Sequence, residues 1–149
     1  MEADQIAELR TMYVFGPAEG ETWGLTFDAL ERKLRDRDPD EFVRVEEPGE
    51  GPLDRSTTMY FGITLADEDL EGMAKRDSEG VAITDCTAPQ AAEFALWLRE
   101  NIVPPGAAVT FNTEWGLEED LPDSVVPDST QEGLIALFVT HLEETGGLD

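Results

Sequence analysis

The sequence predicts an α+β domain, and three observations carry that expectation. Four stretches alternate apolar and polar residues with the period of two that marks a half-buried strand, and a fifth reads as a hairpin. Three further stretches repeat apolar residues at helical spacing behind a capping residue. The strands are short and largely consecutive, which favours an antiparallel sheet with helices laid on one face. The expected fold is α+β: a largely antiparallel sheet of about six strands with three helices, in one domain over 1–149. A ferredoxin-like βαββαβ variant with an inserted hairpin satisfies the connections.

The elements follow in order. Leu9, Thr11, Tyr13 and Phe15 alternate with Arg10, Met12 and Val14 and stop at Gly16-Pro17. Thr26 stands where a cap is needed for FDALERKLR, in which Phe27, Leu30 and Leu34 share a side. FVRVEE from Phe42 alternates until Pro48-Gly49. Met59, Phe61, Ile63 and Leu65 face one way, with Tyr60, Gly62 and Thr64 opposite. EGMAKRDSEGVAITD reads as a hairpin turning at Asp77-Ser78-Glu79-Gly80. Thr87-Ala88-Pro89-Gln90 has capping-box spacing ahead of a stripe of Ala91, Phe94, Ala95, Leu98 and Ile102. Val109, Phe111 and Thr113 form the next alternation. Ser129-Thr130-Gln131-Glu132 repeats the capping-box spacing before Leu134, Leu137, Phe138, His141 and Leu142.

Charge is the main functional signal. The 149 residues hold 34 acids against 10 Lys plus Arg, a formal charge of −24. The imbalance grows along the chain: residues 1–50 hold 14 acids and 6 bases, 51–100 hold 10 and 4, and 101–149 hold 10 and none. Such a field disfavours nucleic acid and anionic membrane, since both need Lys or Arg to replace counterions. It attracts a basic partner or cations. A second origin stands beside the first: few Lys among many Ala, Gly, Asp and Glu fit a GC-rich genome under salt pressure, where carboxylates serve solubility alone. The start MEADQIAELR lacks the positive and apolar regions of a secretory leader, and the run LIALFV is too short to span a bilayer. The single cysteine, Cys86, forms no internal disulfide and suits a reducing cytoplasm.

The stretch FNTEWGLEEDLPD, 111–123, places Trp115 beside Glu118, Glu119, Asp120 and Asp123. Leu117 and Leu121, four apart, turn one helical face inward if this is a capped turn over a core tryptophan. If Trp115 stays partly exposed, an aromatic anchor ringed by negative charge is what a basic partner would dock on. Its W-G-L-x-x-D pattern repeats that of Trp23 to Asp28, which fits a glycine turn after a packed indole.

Other candidates are weaker. Asp67, Asp69, Glu71 and Gly72 meet the first half of a calcium loop, but its twelfth position is Ser78 and the flanks read as strands. An acidic loop between strands is the plainer reading. Arg32, Lys33, Arg35 and Arg37 hold four of the ten bases, yet Asp28 to Arg32 and Glu31 to Arg35 are helix-supporting pairs. His141, the one histidine, sits on an apolar stripe and reads as packed rather than as a ligand or base. Cys86 precedes the Thr87 cap, where a helix N-terminus lowers a thiol pKa, but also fits a small core residue. No phosphate loop, dinucleotide fingerprint, zinc signature or nucleophile elbow occurs, and no cofactor is expected.

The segments WGLTFDALERKL and GVAITDCTAPQAAEFALWLRENIVPPGAAVTFNTEWGLEEDLPD resemble small acidic proteins of high-GC actinobacteria. That resemblance implies a cytoplasmic setting and carries over no activity or catalytic residue. Immunity proteins of the antitoxin kind are similar in composition alone. The functional expectation is a non-enzymatic acidic module that recruits or masks a basic protein through Trp115, Glu118, Glu119, Asp120 and Asp123. A small hydrolase or isomerase using carboxylates and His141 is the alternative, and divalent-cation binding a third.

Overall fold

Thr11, Tyr13 and Phe15 are buried on one side of β1 (Thr11–Gly16) while Met12 and Val14 stay partly open on the other. The same alternation runs through most of β3 and β4 and gives the sheet one closed and one more open face. The computed structural model describes residues 2–46, 58–75 and 80–145. Within these the order is α1 (Ala3–Ala7), β1, α2 (Phe27–Arg37), β2 (Val43–Glu46), β3 (Thr58–Leu65), β4 (Glu68–Lys75) and β5 (Val81–Cys86). Then come α3 (Ala88–Asn101), β6 (Val109–Thr113), α4 (Glu114–Glu118), β7 (Ser124–Val126) and α5 (Gln131–Glu144).

The seven strands form one open sheet in the order β2-β3-β4-β5-β1-β6-β7, with every neighbouring pair antiparallel. β1 lies between β5 and β6, so neither pair of strands joined through a long helix is adjacent. The α+β class and the antiparallel sheet agree with expectation. The count of about six strands and three helices agrees roughly but not in full: β7, α1 and α4 are additional. All three span five residues or fewer, below the length at which periodicity is readable. The expected hairpin turn at 77–79 and the expected loop beyond Glu46 lie outside the described residues.

Helix starts follow local chemistry. Thr26 Oγ1 accepts from Ala29 N at 3.1 Å and Thr87 forms the expected reciprocal box with Gln90. At α5 the cap is Thr130, not Ser129: its Oγ1 accepts from Gly133 N at 3.1 Å. Glu132 therefore falls one residue short of the position from which a box can close.

The core is aromatic. Phe15 packs on Phe94 of α3 with centroids 5.8 Å apart and on Phe138 of α5 at 6.2 Å. Phe138 also meets Tyr13 at 5.3 Å and Phe111 at 4.7 Å. These rings bring α3 and α5 side by side over β1, β5 and β6. α2 lies next to α3, where Arg37 Nη2 donates to the Thr64 carbonyl at 2.6 Å and to Glu93. No helix among the described residues is long and apolar enough to cross a membrane.

Two features of the sheet were not readable. Strict alternation of VAITDC would bury Asp85, but a bulge opposite β1 shifts the register between Thr11 and Tyr13. It turns Cys86 inward opposite Thr11 and leaves Asp85 in solvent, bonded to Arg10. Arg10 also donates to both Glu68 oxygens, at 3.2 and 2.8 Å. On β4, Gly72 admits the Phe61 ring. A Cβ there would collide with that ring and lie 2.9 Å from the Ala82 carbonyl. Gly72→Ala is expected to cost about 1–3 kcal/mol in urea unfolding, with part of the loss recovered in a Phe61→Leu background. Equal costs in both backgrounds would show that the ring is not the obstacle.

Candidate functional site

β6 is buried at all five positions and ends at Thr113. Thr113 Oγ1 caps α4 by accepting from Gly116 N at 3.1 Å, and the same oxygen lies 2.8 Å from His141 Nε2. The Thr113 hydroxyl has a second lone pair and its own proton, so it donates to or accepts from the imidazole according to the His141 tautomer. Burial holds the His141 pKa below its ordinary 6.5, against an upward pull from Glu144 and Glu119. Gly116 is required by space. A Cβ at this position would strike Asn112 Oδ1 and come within 3.2 Å of His141 Cε1.

The helix is a single turn and closes at once. Asp120 N donates to the Leu117 carbonyl at 3.1 Å, and Leu121 N to that of Gly116 at 3.0 Å. This is the paired bonding of a Schellman motif, whose left-handed residue is usually glycine. Here it is Asp120, with φ +56. A non-glycine residue in that region costs roughly 1 kcal/mol.

The early stop reverses one expectation. Leu117 and Leu121 do not share an inward helical face, because no helix continues to residue 121. Both turn out, at 45% and 39% exposure. Trp115 is half-buried against the core, neither sealed nor free. Glu114, Glu118, Glu119, Asp120 and Asp123 are exposed around them. No cation among the described residues forms an ion pair with any of these acids. The nearest base in sequence, Arg99, is engaged with the Val126 carbonyl at 2.9 Å.

Asn112 ties the segment down. Buried to 2% exposure, it donates to the Leu121 carbonyl at 3.0 Å and to Asp123 Oδ1 at 3.1 Å. A hollow of about 410 Å³ opens beside it, lined by Pro17, Glu19, Thr110, Leu121, Pro122 and Asp123. The outward leucines were missed in the sequence because i, i+4 spacing was read as one helix. The glycine-free EEDL gave no stop signal.

The remaining candidates are placed elsewhere. Residues 68–75 form strand β4, not a loop, so Asp69 and Glu71 are set along an extended chain while Asp67 sits in the turn at φ +63. Asp69 Oδ1 accepts from Thr64 Oγ1 at 2.9 Å. No group of three ligand-type side chains converges among the described residues. Arg35 pairs with Glu31 at 3.2 Å, as helix support. Cys86 is buried, and burial pushes its thiol up to about 12, the reverse of an activated nucleophile. Thr113 is fully buried beneath His141, so the pair holds a cap and presents no oxygen to a substrate. The W-G-L-x-x-D echo has no common structure. Trp23 is buried, with Nε1 bonded to the Ala108 carbonyl at 3.0 Å, and Gly24 takes φ +69, whereas Gly116 is helical.

Compared with known proteins, the chain matches no family model, no curated protein and no solved structure.

Two outcomes follow from this geometry. Asp120→Gly is expected to stabilise the fold by up to about 1 kcal/mol, and a loss of stability would contradict the strain assigned to Asp120. His141, with a folded pKa below the unfolded one, favours folding only when neutral. Its contribution is complete above the unfolded pKa and is withdrawn as pH falls below it. The stability advantage of the parent over His141→Gln is therefore expected to shrink between about pH 7.5 and about pH 5.5 in urea unfolding. The subtraction cancels the common titration of the carboxylates, and a constant difference would count against the assignment.

Proposed function

We propose that the α4 segment is the docking surface of a non-enzymatic module that recruits or masks a basic protein. The observation that carries this reading is the outward placement of Leu117 and Leu121 among Glu118, Glu119, Asp120 and Asp123, none of them ion-paired among the described residues. Solubility alone calls for carboxylates and gives no reason to set two leucines outward in their midst. An apolar centre with a charged rim is the anatomy of a protein interface, and a rim of one sign selects a partner of the other. Trp115 stiffens the platform from below. Strain at Asp120, in the middle of the acidic run, agrees with a segment shaped for contact.

The strand order supports a finer reading of the fold: β1 between β5 and β6 is the order that an inserted hairpin gives a ferredoxin-like βαββαβ sheet. One free buried cysteine supports a reducing, cytoplasmic setting.

The test is kinetic. A partner captured from cell extract at low salt is measured against the parent and a variant with Glu118→Gln, Glu119→Gln, Asp120→Asn and Asp123→Asn. Association is expected to slow by at least about tenfold at low ionic strength, with a flatter dependence on salt. Leu117→Ala with Leu121→Ala is expected to hasten dissociation instead. Unchanged rates in both variants would reject the assignment.

A further inference from the structure

The ring seam of the core is phenylalanine at Phe15, Phe94, Phe111 and Phe138, and within it position 13 alone carries a phenol. Tyr13 is fully buried, and its hydroxyl meets no protein donor or acceptor among the described residues. The Thr11 hydroxyl, two residues back on the same face of β1, is 4% exposed and equally without a partner. Among the described residues no other buried side-chain nitrogen or oxygen is left in that condition.

The two hydroxyls share a neighbour. Cys86 is the register partner of Thr11 across β1 and β5, and it too enters the core with no exposed surface. Its thiol is within electrostatic reach of Tyr13: burial first, and Cys86 second, push the phenol well above its ordinary range. The bulge between β1 and β5 interrupts their ladder at this spot and is what turns Cys86 inward. Two hydroxyls and a thiol are thereby gathered at one end of the core. Burial also pushes the thiol up to about 12, so all three groups stay neutral.

An unpaired buried hydroxyl loses its hydration and gains nothing, whereas phenylalanine at 13 and valine at 11 would fill the same space without that cost. Buried side-chain polar atoms are in their large majority paired, with protein or with ordered water. We infer that Thr11, Tyr13 and Cys86 form an internal hydration site that holds one water molecule, independently of the partner surface at α4. Water suits all three: it accepts from the phenol, donates to the threonine oxygen and makes a weaker third contact with the thiol. Three bonds is the usual complement of a buried water. An ion does not suit, because neutral groups in a sealed site cannot offset its desolvation. The water fastens β1 to β5 across the bulge, where the ladder is interrupted.

Urea unfolding and the magnetic relaxation dispersion of water, both on the full chain, test this. Tyr13→Phe and Thr11→Val each remove one hydroxyl and keep the core filled. Each is expected to lower the folding equilibrium constant by roughly threefold to tenfold. The loss in the double variant is expected to fall short of the product of the two, because the bridge is lost once. In the relaxation measurement the folded double variant is expected to show one long-lived internal water fewer than the parent. A Tyr13→Phe protein as stable as the parent, or more so, would show that the hydroxyl had no partner to lose. Costs that multiply, or the same number of long-lived waters in the parent and the double variant, would likewise overturn the inference.

Discussion

Phe15 stands between Phe94 of α3 and Phe138 of α5, and the positions of both helices depend on those contacts. Because the same rings continue to Tyr13 and Phe111, the two helices are committed to one side of the sheet. With every long helix spent there, the other side receives none. The closed face sets the core, and the reverse face is covered only at its margins, by the α4–β7 segment over Asn112 and by Glu41 and Phe42 beside Gly62. The site at α4 depends on the same seam, since His141 packs on Phe111 at 4.9 Å and from there supports Thr113.

Charge is distributed around that architecture in two regimes. At the β6–β7 end, Glu114, Glu118, Glu119, Asp120 and Asp123 form no ion pair among the described residues. On α2 and at the Arg10 cluster, acids are paired with bases: Glu31 with Arg35, Glu93 with Arg37, and Glu68 and Asp85 with Arg10. Matched charge lets apolar surface stay available for contact, whereas unmatched charge keeps the remaining surface hydrated. The α4 segment combines the two: apolar side chains outward, with the surrounding charge unmatched. The proposed docking surface rests on that combination.

The strands and long helices were legible because inward positions carry large apolar residues at fixed periods: Tyr13 and Phe15, Phe61 and Ile63, Leu134 and Phe138. The capping box at Thr87 was legible from four residues. What was not legible rests on contacts remote in sequence or on unusual residues in common motifs. The bulge that turns Cys86 inward is defined by its partner strand. α4 and β7 are fixed by Asn112, which reaches Leu121 and Asp123 across a gap that no local pattern marks. The Schellman stop uses Asp120 where the rule expects glycine. The half-burial of Trp115 and the outward leucines were not legible, since periodicity assumes a helix longer than one turn.

The location of the basic residues has a further consequence. Arg32, Lys33, Arg35 and Arg37 ride on α2 beside β3, with Arg44 on β2, whereas β6, α4 and β7 contain no base. A large monopole is thus overlaid by a charge separation along the long axis of the sheet. A basic partner of the kind proposed would feel a torque as well as a pull, turning the β6–β7 end towards it. Orientation during diffusion is thereby encoded in the order of the strands.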